Sequence, residues 1–255
     1  MRPSVLTRVA APAIVAITLL SGCSGGHAAV VTPPPHPLTA AEANELANIR
    51  FLDLTAGGAQ LSIAMTNGAN PLRLQGWIDW KSQLGYASFS GTGSKAAATS
   101  GIAQWNAQGL GLLDGTFGGL PPVPVPNPNS GWTFRSYEPG VTIDLLCQLL
   151  LQLSADRPEN ATLLQQSDAS WLSQQQLDGN PVDVIEGPGS PGQATFAPGK
   201  GPIRYWIDTT SGKLLRIQAL LGEATQFSVI DFSYPVLPAI PLLPQLQPSP
   251  AAPSS

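Results

Sequence analysis

Residues 142–154 constrain this chain more than any other segment. Their polar side chains, Asp144, Gln148 and Gln152, fall four apart, and nearly all the others are Leu, Ile or Cys. Positions spaced by four share one line on an α-helix, so the three make a narrow polar stripe and the remaining circumference is apolar. Such a helix has to nestle in a concave apolar surface or line an apolar cavity. Cys147 lies in the apolar part with no cationic neighbour in sequence. It reads as a small buried hydrophobe rather than a reactive thiol.

The rest of the chain supplies a surface of the required kind. Thr39-Ala40-Ala41-Glu42 matches a capping box, and the spacing predicts a helix through about Leu54 that stops at Gly57-Gly58. Period-two alternation follows. Leu61, Ile63 and Met65 alternate with polar residues, and after Asn67-Gly68 so do Leu72, Leu74, Ile78 and Trp80, a hairpin with one apolar face. Residues 84–90 and 102–108 read as further strands. Beyond the apolar helix, 171–177 and 182–186 flank an Asp178-Gly179-Asn180 turn, 203–208 and 213–221 flank Thr209-Thr210-Ser211-Gly212, and 226–232 ends the series. Strands joined by tight turns pair antiparallel, and no βαβ period appears.

The first residues are an address. Arg2 and Arg8 precede an apolar run over 9–20, which ends at Leu20-Ser21-Gly22-Cys23. A charged start, a short apolar run and small residues before a cut describe a signal peptide, 1–22. The last four residues resemble a bacterial lipobox, which implies diacylglyceryl lipidation (palmitate-type) of Cys23 as the mature N-terminus. Two acyl chains hold a protein stably where one does not. The expected location is the outer face of a bacterial plasma membrane, with the membrane a partner through that anchor. Residues 23–38 read as the lipidated Cys and a Pro/Gly-rich tether, 39–234 as a single domain, and 235–255 as a Pro-rich disordered tail. The whole chain carries a net charge of −4, and cleavage removes two arginines, leaving about −6. No basic run offers a nucleic-acid footprint.

Several chemistries lack their parts. Both histidines, His27 and His36, lie in the tether, so the domain has no imidazole for a Ser-His or Cys-His nucleophile or for a metal. Gly-x-Ser-x-Gly, His-Glu-x-x-His and phosphate-cradling loops are missing from the sequence. Asp156 with Glu159, and Asp183 with Glu186, are close enough in sequence to pair, yet carboxylates beside turns are ordinarily solvated. The reading is no enzyme, no catalytic residue, no metal and no cofactor. Asn160-Ala161-Thr162 has the pattern of a glycosylation sequon and is taken as chance. Trp77 and Trp206 fall on the nominally polar faces of their strands. Packing on the sheet is the preferred account of both.

Lipobox, Pro-rich tether, capped first helix, the hairpin around Asp178-Gly179 and the run Tyr205-Trp206-Ile207-Asp208-Thr209-Thr210-Ser211-Gly212-Lys213-Leu214-Leu215-Arg216 together resemble the mycobacterial LppX/LprG-type lipoproteins, which are similar in shape to LolA-like carriers. The resemblance implies an α+β fold in which a strongly curved antiparallel sheet, a half-barrel, has helices packed on its concave side. It also implies a cell-envelope protein that binds or transfers lipid or lipoglycan in an apolar cavity. It gives no ligand-contacting residue. Low charge and Gln/Ser/Thr-rich faces suit a second reading equally: a membrane-tethered sensor or scaffold that binds an envelope protein partner and carries no lipid. A void of several hundred Å³ lined by Leu and Ile beside Leu145, Leu149 and Leu153 favours the carrier, and a filled half-barrel favours the scaffold.

Overall fold

The computed structural model describes residues 33–67, 70–91, 100–127, 129, 131–189 and 196–247. The expected signal peptide, the expected lipidation site Cys23 and most of the expected tether lie outside the described residues. Thr39 opens the first helix, α1 (Ala40–Ala56), through the expected capping box: its hydroxyl accepts from the Glu42 amide at 3.3 Å, and the Glu42 carboxylate accepts from the Thr39 amide at 2.7 Å. Gly57, at φ +88°, closes it in the left-handed conformation that a side chain disfavours.

Among the described residues, twelve strands form one antiparallel sheet. After α1 comes a six-strand meander: β2 (Gly58–Asn67), β3 (Asn70–Asp79), β4 (Leu84–Gly91), β5 (Ser100–Asn106), β6 (Gly109–Asp114) and β7 (Trp132–Arg135). The second meander is β8 (Ser170–Leu177), β9 (Asn180–Glu186), β10 (Ile203–Asp208), β11 (Leu214–Ala219) and β12 (Ser228–Ser233), and β1 (His36–Pro37) pairs with the start of β8. The two halves join where β12 pairs with β2, so β7 and β1 are the free edges of an unclosed, curved α+β sheet.

This order explains why the middle of the chain is so apolar. To pass from β7 to β8 the backbone must travel from one edge of the sheet to the other. It does so through α2 (Thr142–Gln152) and the short α3 (Ala161–Gln165). Leu146, Cys147, Leu150, Leu151 and Leu153 are buried together with Leu46 and Ile49 of α1 and with Ile63, Ile78, Trp80, Trp105, Ile185, Ile217 and Phe232 of the sheet, in one continuous core. Burying each such Leu is worth about 1.5–3 kcal/mol. Close approach is engineered at Gly85, where a Cβ would stand 1.9 Å from the Trp105 ring.

The structure corrects several sequence expectations. The strands β1, β6 and β7, the helix α3 and a 3-10 turn at Pro244–Leu246 were not anticipated. Asn160 has a structural role: its side chain accepts from the Thr162 and Leu163 amides and caps α3. The tether joins the sheet by its last residues, His36 and Pro37, and Leu38 is buried. The tail expected to be disordered from Pro235 is docked as far as Gln247, with Leu243 and Leu246 buried. Its Leu237 and Ile240 cover an outer-face cluster of Trp77, Tyr86 and Ile102. Trp77 is buried by that segment, a neighbour the strand pattern could not supply. Trp206 packs with Val182 and Val184 on the outer face and donates from Nε1 to Gln175 at 3.2 Å.

Candidate functional site

The concave face is where cargo or a partner would be met, and α2 dominates it. Both ends of α2 are pinned. At its N-terminus Asp144, expected on a polar stripe with Gln148 and Gln152, is fully buried. Its carboxylate takes both guanidinium nitrogens of Arg135, at 2.6 and 2.7 Å, and the Glu138 amide at 2.7 Å. Bidentate geometry with a third donor is what a buried carboxylate needs to offset its lost hydration. Near its C-terminus Trp80 Nε1 donates to the Leu150 carbonyl at 3.0 Å, and Gln83 donates to the Ser154 hydroxyl at 2.9 Å. The following loop lies along α1, where Ala155 and Glu159 amides donate to the Arg50 and Ala47 carbonyls and Arg50 pairs with Glu159 at 3.0 Å.

The half-open side of α2 is therefore Leu145, Gln148, Leu149 and Gln152 rather than the expected stripe. Two clefts flank it. One, of about 260 Å³, lies between α1 and α2 and mixes Leu46, Ile49, Leu149 and Leu153 with the Arg50–Glu159 pair and Tyr205. The other, of about 160 Å³, is apolar: Leu72, Leu74, Phe89, Ala103, Leu110 and Leu112 from the sheet, and Ile143 from α2. Sites that enclose a small-molecule ligand run from about 300 to 1,000 Å³. Both clefts fall short of that. Of the three residues expected to face a void, Leu149 and Leu153 line the larger cleft, and Leu145 is half-buried.

The sequence-nominated carboxylates go to separate places. Asp156 is exposed and Glu159 is paired with Arg50. Asp183 accepts from Trp171 Nε1 at 2.9 Å, and buried Glu186 accepts from the Gly199 amide at 3.2 Å. Among the described residues no group of three His, Cys, Asp or Glu is placed to hold a metal ion, and no helix is long and apolar enough to cross a membrane. Cys147 is buried, and burial pushes its thiol well above the usual range.

Two carboxyls that the sequence reading passed over are perturbed. Burial, then the charges of Asp183 and Glu42, push Glu45 up to about 7. Beside it His36 stacks on Trp171, with ring centroids 4.8 Å apart, and contacts Glu42 at 3.1 Å. Burial pushes Asp53 up to about 8. Tyr234 lies 3.0 Å from Asp53 Oδ1 and 2.7 Å from the Leu214 carbonyl, through a hydroxyl with one proton. If that proton goes to the carbonyl, which can only accept, Asp53 must be protonated and donate to the phenol oxygen. The signal for Asp53 was its place on the same helical face as Leu46 and Ile49, an acid inside an apolar stripe.

No family model and no curated protein matches the sequence. Among solved structures, MucB is 14% identical over 82% of this chain and 62% of that chain, with a TM-score of 0.34. The Pseudomonas aeruginosa MucA/MucB complex is 12% identical over 82% and 61%, at 0.33, and MucB in complex with MucA(peri) is 14% identical over 83% and 60%, at 0.30. This chain thus spans about three fifths of the chains it matches. Likeness at that level carries no argument about function.

Proposed function

We propose that this chain is a bacterial cell-envelope lipoprotein, anchored through diacylated Cys23 on the outer face of the plasma membrane, that works as a tethered scaffold or sensor for a protein partner and encloses no lipid cargo. One observation carries the choice between the two readings. The concave face is occupied by α1 and α2, with Leu146 and Leu150 fully buried, and the two clefts that flank α2 among the described residues are about 260 and 160 Å³. A lipid carrier needs that space for hydrocarbon. The surface offered instead is the rim of α2, where Leu145 and Leu149 alternate with Gln148 and Gln152. Small apolar anchors among uncharged polar groups suit a protein interface core better than a solvated face. Kinship with the LppX/LprG-type lipoproteins belongs to the proposal as architecture, without their cargo.

The test is photo-crosslinking in the bacterial envelope from a reactive residue placed at Leu149, with Gln176 on the far strand as control. A discrete protein adduct at 149, lost when Leu145 is replaced by Asp, is the expected result. Acyl-lipid adducts at 149 in place of protein overturn the proposal and restore the carrier.

A further inference from the structure

The outer face holds a second recognition surface. Prolines 235, 238, 241 and 244 recur every third residue, and so do Leu237, Ile240, Leu243 and Leu246 between them. Leu237 and Ile240 pack on the cluster of Trp77, Tyr86 and Ile102, Leu243 and Leu246 are buried, and Val236, in another row, is 99% exposed. Burial with a period of three fits a polyproline II helix, which turns once per three residues. Leu243, at φ −60° and ψ 134°, has that backbone, and Pro244–Leu246 then close into one 3-10 turn, which keeps the three-residue period.

The surface underneath is built to read such a segment. Cross-strand register sets Trp77, Tyr86 and Gln104 in one row across β3, β4 and β5. Trp77 and Tyr86 stack with centroids 6.3 Å apart. Gln104, fully buried, uses both ends of its amide on the segment's main chain: Nε2 donates to the Pro241 carbonyl at 3.0 Å, and Oε1 accepts from the Leu243 amide at 2.8 Å. Asn106 donates to the Leu246 carbonyl at 2.8 Å. At the start of β2, Gly58 leaves the room that Leu237 fills, since a Cβ there would meet Leu237 Cδ1 at 2.4 Å. Stacked aromatics, main-chain hydrogen bonds from side-chain amides and an apolar contact every third residue are the elements of polyproline II recognition. These contacts read backbone and spacing, so they do not require the ligand to belong to the same chain.

We infer that the outer face of β3–β5 is a groove for proline-rich protein segments bearing an apolar residue at every third position, and that residues 237–246 occupy it in cis as a displaceable competitor. This does not depend on what binds the concave side. Tyr234 is anchored on Asp53 and the Leu214 carbonyl, whereas Pro235 and Val236 just beyond it are exposed, so the strap can lift there without disturbing β12. A tethered ligand has a high effective concentration, so a segment in trans binds weakly until the strap is weakened.

The test uses a fluorescein-labelled peptide with the sequence of residues 235–247, titrated against the full chain and against the full chain carrying Leu243→Ser with Leu246→Ser, which weaken the strap and leave the groove intact. Expected is affinity at least about ten-fold higher for the double variant. Ser at the peptide's counterparts of Leu237, Ile240 and Leu243 should abolish binding, and Ser at those of Val236 and Ala239 should not. On the unaltered chain, the Leu243 amide should exchange its hydrogen about 100-fold faster than amides of β4 and β5, showing that the strap opens alone. Equal peptide affinity for the two folded chains, or Leu243 exchanging at the rate of the sheet, overturns the inference. If the double variant loses its fold, the exchange rates decide.

Discussion

Asp53→Asn turns a buried proton into a measurable quantity. Asp53 is 1% exposed, and its carboxyl is held up to about 8 against an ordinary value of 3.8. The folded protein therefore keeps a proton that the unfolded chain releases above about pH 4. The stability this contributes is complete below pH 3.8 and is lost as pH rises through about 8. The slope is about −1.4 kcal/mol per pH unit, with a ceiling on the order of 5 kcal/mol across the window. That is comparable to the whole stability of many domains. Asparagine has nearly the same shape, stays neutral, and can donate from Nδ2 to the Tyr234 oxygen. Urea unfolding followed by tryptophan fluorescence at pH 5, 6, 7 and 8 gives stability for both chains. Glu45, pushed up to about 7, and His36, also raised, slope the same way, but they are common to both proteins and drop out of the difference. D53N should gain on wild type by about 4 kcal/mol between pH 5 and 8. A difference that stays constant with pH would show that Asp53 is ionised in the folded state and refute the reasoning.

Arg135→Ala strips a fully buried Asp144 of its guanidinium and is expected to cost about 3–5 kcal/mol in urea unfolding, with Arg135→Lys intermediate. Gly85→Ala drives a methyl into the Trp105 ring and should cost at least about 1–3 kcal/mol, read as a lower thermal midpoint. In the chain beginning at Ser24, Cys147 is the one thiol, and it should react with a disulfide reagent only at the rate of unfolding, because it is buried. A fast native reaction would place that part of α2 at the surface.

The hairpin at 61–80 was legible from its period-two alternation, and those at 171–186 and 203–221 from their turn residues, all local properties. The capping box at Thr39 was legible for the same reason. Asp144 was misplaced because helical spacing groups it with Gln148 and Gln152 and cannot see Arg135, which reaches it from β7. The short β7 carries only Trp132, Thr133, Phe134 and Arg135, too few residues to show a period, and β6 is thinned by Gly109 and Gly111. Proline-rich composition suggested disorder after 235. The three-residue spacing that docks the segment is present in the sequence, but its meaning depends on Gln104 and Trp77, more than a hundred residues away. Whether the concavity was full or hollow could not be read from the sequence, since an apolar helix satisfies both.

The central claim, that helices rather than hydrocarbon fill the half-barrel, is tested most directly by native mass spectrometry of the chain beginning at Ser24, expressed in a bacterial envelope and purified without detergent. The account predicts the mass of the polypeptide alone, with no acyl species released on extraction with organic solvent. One lipid bound per chain, surviving purification and recovered in the extract, would contradict it.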